Sequence, residues 1–349
     1  MGETPAAALA AAILRALDRM QAATRALDPA DPSPPEADAA LGDALAASRA
    51  FDWPEAWLPI RDCLDQAARL LLEAERVMAT ATSLPEAWRA FRAIPRASEA
   101  IYPLCPFIPS ISRHFLEPAR RGDAALLERL AADPGREGVG VMHLGGPPGS
   151  RGNASLYVPE DYEPARPMPL VVALHGGSGN GAGFLWSWLR AARGRGVAVL
   201  APTALGDTWS IMEPEIDGPN IAHWIDVVSA QWNIAAAPRL LSGMSDGGSF
   251  TYSLGLSAEP PFTHLAPVAG NFHPMLTMAM NPEHVRGLPV RITHGARDWM
   301  FPPDVAVQAS ELLRHVGARV ECHVLAGLAH AWPLEQADAI LGWCMGDAP

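Results

Sequence analysis

From about residue 138 onward, short apolar runs alternate with segments of helical period, and this alternation constrains the fold more than any other feature. Ala154–Val158 reads as a strand, and Leu170–Leu174 as a buried one that enters the turn His175-Gly176-Gly177-Ser178-Gly179. A helix over about 182–193 is followed by a strand at Val197–Ala201, a helix at Ile221–Trp232 and a short strand at Arg239–Ser242. A helix over about 247–257, strands at His264–Val268 and Val290–Thr293, a helix at 303–316, a strand at 319–325 and a helix at 334–344 complete the series. Strands separated by helices must be joined by crossovers. The expectation is therefore an α/β fold, a mainly parallel sheet with helices on both faces.

The residues before this point have another texture. Ile13, Leu17, Met20, Thr24 and Leu27 recur at steps of 4, 3, 4 and 3, the stripe of a helix that packs on a neighbour. The Asp28–Pro35 run (DPADPSPP) interrupts it, since proline removes donors and bars the helical region to the residue before it. Further helical patterns run over roughly 36–50, 55–80, 84–100 and 122–132, with prolines punctuating 103–118. The chain thus divides into an all-helical N-terminal region, 1–135, and an α/β domain, 136–349. With 349 residues, two domains are the natural count. Three uses compete for the helical region: a cap over a site, an arm for homo-oligomerisation, or a packed extension.

Charge and cysteine usage narrow the partners. A formal net charge of −12 argues against nucleic acid and against docking on an anionic membrane, which both need concentrated basic side chains. No stretch reaches 18 uninterrupted apolar residues, so no membrane span is expected. Cys63, Cys105, Cys322 and Cys344 form no CxxC pair and suit reduced thiols better than a disulfide framework or a zinc site. The N-terminus lacks the basic segment of a signal peptide, and Arg15, Asp18 and Arg19 interrupt its alanine-rich run, so a cytoplasmic location is expected.

The sharpest chemical signal is Gly243-Met244-Ser245-Asp246-Gly247. A bare G-x-S-x-G is weak, but here a strand ends before it and a helix begins after it. That is the setting of a nucleophile elbow, where glycines permit a strained turn that lifts the serine hydroxyl clear of the sheet. A surface serine in a Gly-rich loop is the plainer alternative. A nucleophilic serine needs a base, and the base an orienting acid. His330 follows the last strand and Asp298 follows Val290–Thr293, each at the sheet edge where open α/β proteins build sites. His294 is read as shaping the turn near Asp298, His323 as lying within a strand, and Asp304 as a first-turn helical residue. For the oxyanion hole, the backbone N–H of Asp246 and that of Gly177 are the first choices, with Ser178 in reserve. The Gly-rich turn lacks the Gly-Lys-Ser/Thr ending of a P-loop and the spacing of a dinucleotide fingerprint, so phosphate binding is set aside.

Taken together, PLVVALHGG ending at Gly177, GMSDGG at 243–248 and AHAWP at 329–333 resemble α/β-hydrolase-fold serine esterases. The nearest resemblance is to the polyhydroxybutyrate-depolymerase/feruloyl-esterase-like group, with the phospholipase/carboxylesterase group next, and it covers about 140–345. It implies a Ser245–His330–Asp298 triad, hydrolysis of a small-molecule carboxylic ester through an acyl-enzyme, and no metal or organic cofactor. One departure is Asp246, where that group usually has Asn or Gln; a carboxylate there opposes a developing oxyanion if it points inward, and as a first-turn helical residue it can instead point away. Phe184, Trp186, Trp209, Phe272, Met275 and Trp332 are the candidate pocket residues and suggest a cleft for a neutral apolar or aromatic ester. Polyester-oligomer, feruloyl-type, phospholipid and thioester substrates share the same triad chemistry, and a non-catalytic binding protein on the same fold is the alternative of another class.

Overall fold

The computed structural model describes residues 4–30, 39–257 and 261–347, and the chain divides into two compact units, Met1–Pro134 and Gly135–Pro349. In the first unit, α1 (Pro5–Ala26) begins with proline and is capped by Thr4, whose Oγ1 accepts from the Ala7 N–H at 3.3 Å. Its stripe is buried as the spacing predicts: Ile13 and Leu17 are fully buried, Met20 and Leu27 nearly so, and only Thr24 is half-exposed. Each such aliphatic side chain contributes about 2 kcal/mol on burial, which a helix marginal on its own requires. α1 packs on α2 (Ala40–Ala50) and α3 (Leu58–Met78), and Arg19 reaches Glu75 at 2.6 Å across the α1–α3 contact. Residues 31–35 of the proline-rich break lie outside the described residues. The pattern at 84–100 divides at Arg92 into α4 (Leu84–Phe91) and α5 (Ala93–Ile101), and α6 (Pro109–His114) and α7 (Ala124–Ala131) follow.

In the second unit, among the described residues, one eight-stranded sheet runs in the order β1-β2-β4-β3-β5-β6-β7-β8. Its strands are β1 (Gly140–Leu144), β2 (Ala154–Val158), β3 (Met168–Leu174), β4 (Ala198–Pro202), β5 (Ile234–Met244), β6 (His264–Val268), β7 (Pro289–Gly295) and β8 (Arg319–Leu325). The pairs β1–β2 and β2–β4 are antiparallel, and the other five are parallel. The central strands are buried on both faces, which is why they read as continuous apolar runs rather than alternating ones. β1 is an addition to the sequence reading: Gly140-Val141-Met142-His143-Leu144 is short and holds a glycine and a histidine, and its pairing with β2 supplies what its own pattern does not.

The helical segments differ at their ends. The segment at 182–193 is divided into α8 (Gly181–Phe184), a 3-10 turn and α9 (Leu189–Arg195), which ends on Gly196 in the left-handed region at φ 70°. α10 begins seven residues before Ile221 and spans Pro214–Gln231, and α11 (Asp246–Gly255) follows β5. Two short helices, α12 (Leu276–Ala279) and α13 (Pro282–Val285), lie between β6 and β7; α14 (Asp304–His315) precedes β8 and α15 (Ala337–Met345) follows it. Strand order reverses about β3, since β4 lies on one side of it and β5 on the other. The C-terminal ends of β3 and β5 therefore flank the crevice where sites form in open α/β sheets. This strand order and direction, with the antiparallel edge at β2, is the α/β-hydrolase fold.

Candidate active site

Ser245 occupies the sharp turn between β5 and α11 with φ 58° and ψ −118°, a region costly for a residue with a Cβ. The turn is locked around it. The Ser245 N–H donates to the Val268 carbonyl at 2.9 Å, and its own carbonyl accepts from the Ser249 N–H at 2.8 Å. Both flanking glycines are required by close approach: a Cβ on Gly243 would meet the Gly247 carbonyl carbon at 2.4 Å, and one on Gly247 would meet the Leu174 oxygen at 2.3 Å. The hydroxyl is thus presented at the sheet edge by backbone constraints alone.

His330 and Asp298 converge on it. His330 Nε2 lies 2.8 Å from Ser245 Oγ, and its Nδ1 lies 2.8 Å from Asp298 Oδ2. An ionised carboxylate only accepts, so Nδ1 carries the proton and Nε2 keeps a lone pair toward the hydroxyl. Asp298 is buried, and its second oxygen accepts the N–H groups of Met300 and Phe301, each at 2.9 Å. Burial is the largest influence on this carboxyl and pushes its pKa up. The His330 hydrogen bond and the two N–H groups together outweigh burial and hold it below the ordinary value.

The rejected rivals fall elsewhere. Asp304 is exposed in the first turn of α14, and His323 faces Glu321 at 3.2 Å on β8. His294 is fully buried, with Nε2 2.9 Å from the Phe301 carbonyl and 3.3 Å from Asp298 Oδ2, so it braces the turn that carries the acid.

The turn after β3 is held from behind. His175 is buried, accepts the Ala204 N–H on Nε2 at 3.1 Å and lies 2.7 Å from the Gly176 carbonyl through Nδ1. Chiefly because it is buried, its pKa is lowered to about 4, so it is the neutral tautomer protonated on Nδ1. Among the described residues, the N–H groups of Gly177 and Asp246 meet no acceptor. The Ser178 N–H does: it donates to the Asp207 carbonyl at 3.0 Å, which removes Ser178 from the reserve position. Of the two orientations open to the Asp246 carboxylate, it does not simply point away. It turns toward the turn after β3, accepting from Thr208 Oγ1 at 2.5 Å, and stands where a Cβ on Gly177 would meet its Oδ2 at 2.6 Å.

The pocket residues separate into two groups. Phe184 meets Trp332 edge-on at 5.2 Å between centroids, and Trp332 also contacts Trp188 and donates to the Ser187 carbonyl. Trp186 is buried, and Met275 is exposed. Trp209 and Phe272 belong to the core instead. Trp209, 2% exposed, stacks on Phe250 at 5.3 Å and donates to the His175 carbonyl; Phe272 packs edge-on against Tyr252. Sequence reasoning missed Trp299 and Phe301, whose rings lie 5.5 and 5.6 Å from the His330 ring, and it missed Thr208. The only sequence signal for the two aromatics is their place just after Asp298.

Sheet order, elbow and turn define a chain of α/β-hydrolase fold with a serine, a histidine and an aspartate in hydrogen-bonded series. No protein-family model matches the chain. It is similar to the "Probable feruloyl esterase C" of Aspergillus niger, 27% identical over 175 residues that span 47% of this chain and 60% of that one. Among solved structures it is similar to a thermostable esterase, with 20% identity, 56% of this chain and 58% of that chain covered and a TM-score of 0.45. It is also similar to esterase 2 of Thermogutta terrifontis, with 20% identity, 56% and 90% coverage and a TM-score of 0.46. A third is the fluorophosphonate-binding serine hydrolase F of Staphylococcus aureus, with 16% identity, 59% and 96% coverage and a TM-score of 0.43. No helix among the described residues is long and apolar enough to cross a membrane, and no group of metal-ligating side chains is found among them.

Proposed function

We propose that the chain is a serine hydrolase of carboxylic esters that works through an acyl-enzyme on Ser245. The observation that carries this is the unbroken series Ser245 Oγ–His330–Asp298, with both contacts at 2.8 Å, beside two free N–H groups. His330 takes the hydroxyl proton as Ser245 attacks the ester carbonyl, and Asp298 stabilises the imidazolium. The charge that develops on the carbonyl oxygen is received by the N–H groups of Gly177 and Asp246. His330 then returns the proton to the leaving alcohol, and water enters to release the acid.

The substrate reading is an ester with an apolar or aromatic portion. The Phe184–Trp332 pair, and Trp299 and Phe301 beside His330, offer flat apolar surfaces rather than charge. The name of the Aspergillus relative favours esters of an aromatic acid, of feruloyl type, as the first to try. The test is hydrolysis of nitrophenyl esters of rising acyl length and of feruloyl esters, together with labelling by a fluorophosphonate. Ser245→Ala should lower kcat by about 10³-fold or more and abolish labelling. Full activity in that variant would sink the scheme, whereas an intact protein that neither labels nor hydrolyses any ester would favour a binding role.

A further inference from the structure

The two oxyanion donors sit on different elements, one just past β3 and the other at the start of α11. The β3–β5 ladder pairs Leu174 with Gly243 and goes no further, so the sheet itself does not set the separation of the Gly177 and Asp246 N–H groups. The loop at 205–210 bridges them. A buried carboxylate, Asp217 in the first turn of α10, pins both ends of this loop. Its Oδ1 accepts the Leu205 N–H at 2.9 Å, and its Oδ2 accepts the Ser210 N–H and Oγ at 2.8 and 2.7 Å. Held this way, the loop presents one residue to the turn that carries Gly177 and the next to the Asp246 side chain. The Asp207 carbonyl takes the Ser178 N–H at 3.0 Å, and Thr208 Oγ1 donates to Asp246 Oδ2 at 2.5 Å.

We propose that Thr208 is a positioning residue of the oxyanion hole, tying the Asp246 side chain to the loop that holds the Gly177 turn. This rests on the reading of Ser245 as an acyl-transfer nucleophile. A carboxylate beside a developing oxyanion opposes it unless its direction is fixed. The Thr208 hydroxyl directs Asp246 onto the loop, and the carboxylate fills the volume that a side chain on Gly177 would need. The Asp246 side chain and the turn that carries Gly177 are thereby referred to one loop anchored on Asp217.

Because removing an oxyanion donor outright costs about 10²–10³-fold in kcat, displacing one should cost about 10–100-fold. Thr208→Val should therefore lower kcat by that factor, with KM changed less than about twofold. Thr208→Ser, which restores the hydroxyl, should recover most of the loss. The double variant Thr208→Val/Asp246→Ala should lose no more than the worse single variant, because the two act as a pair. Thr208 is exposed, so these changes remove no core packing; melting curves and fluorophosphonate site titration on each variant count intact sites. A Thr208→Val protein with kcat within about twofold of the parent overturns the proposal. So does a Thr208→Ser protein as slow as Thr208→Val, or an Asp246→Ala protein faster than the parent. Failure of the parent itself to label withdraws the reading of Ser245 instead, so the two failures are distinct.

Discussion

His175 couples the turn after β3 to pH. Its folded pKa of about 4 lies below the ordinary 6.5, so between these values the unfolded chain binds the proton and the native chain does not. The stabilisation is full above pH 6.5 and is lost as pH falls through 4, a swing on the order of 3 kcal/mol. His175→Gln should flatten that part of the urea-midpoint profile. Asp298 carries the same sign at lower pH: its depressed carboxyl stabilises the fold above its ordinary 3.8, and this is lost as pH falls through the folded value. Asp298→Asn should remove that acid-side dependence and also lower kcat by about 10⁴-fold, because the imidazole loses its correct tautomer. Residue identity at this scale was legible wherever chemistry leaves a local mark. Ser245 announces itself by its glycines, and His330 and Asp298 by their places after strands. Thr208 carries no such mark, since its partner is 38 residues away, and Trp209 could not be told from a pocket residue until its stacking on Phe250 was seen.

Elements were legible where burial is uniform. β3, β4 and β6 lie in the sheet interior, and their apolar runs agree with the structure to within two residues, whereas α10 starts at a proline that the pattern reading passes over. The last helix illustrates what holds elements together at a distance. Arg195, at the end of α9, donates to both oxygens of Asp338 on α15 at 2.6 and 2.8 Å and to Asp347 beyond it at 2.6 Å. Arg195→Ala leaves two carboxylates facing one another and removes a clamp made by sequence-distant residues. Stability should fall by about 1–3 kcal/mol, a decrease in Tm of roughly 3–10 °C, with kcat on a small ester unchanged. Arg195→Lys should recover only part of it, because a single ammonium cannot reproduce the bidentate fork.

At the scale of the whole molecule, the texture change near residue 135 coincides with the division at Pro134 and Gly135. Each side has buried apolar side chains of its own, such as Ile13 and Leu17 in one and Leu174 and Phe250 in the other. Residues 135–349 should therefore unfold cooperatively when produced alone, as followed by circular dichroism. Esterase activity and native mass, compared with those of the full chain, then show whether the helical unit serves as a cap, an arm or neither. The spacing of the triad along the chain has a further consequence. The serine and its base are 85 residues apart and meet only after the strands between them have joined the sheet. During synthesis the strained serine turn emerges before residue 330, so a chain stalled between them lacks the His330 ring that faces the hydroxyl in the fold. On the proposed mechanism, the strained serine turn can thus be complete in a growing chain that still lacks the base on which its chemistry depends.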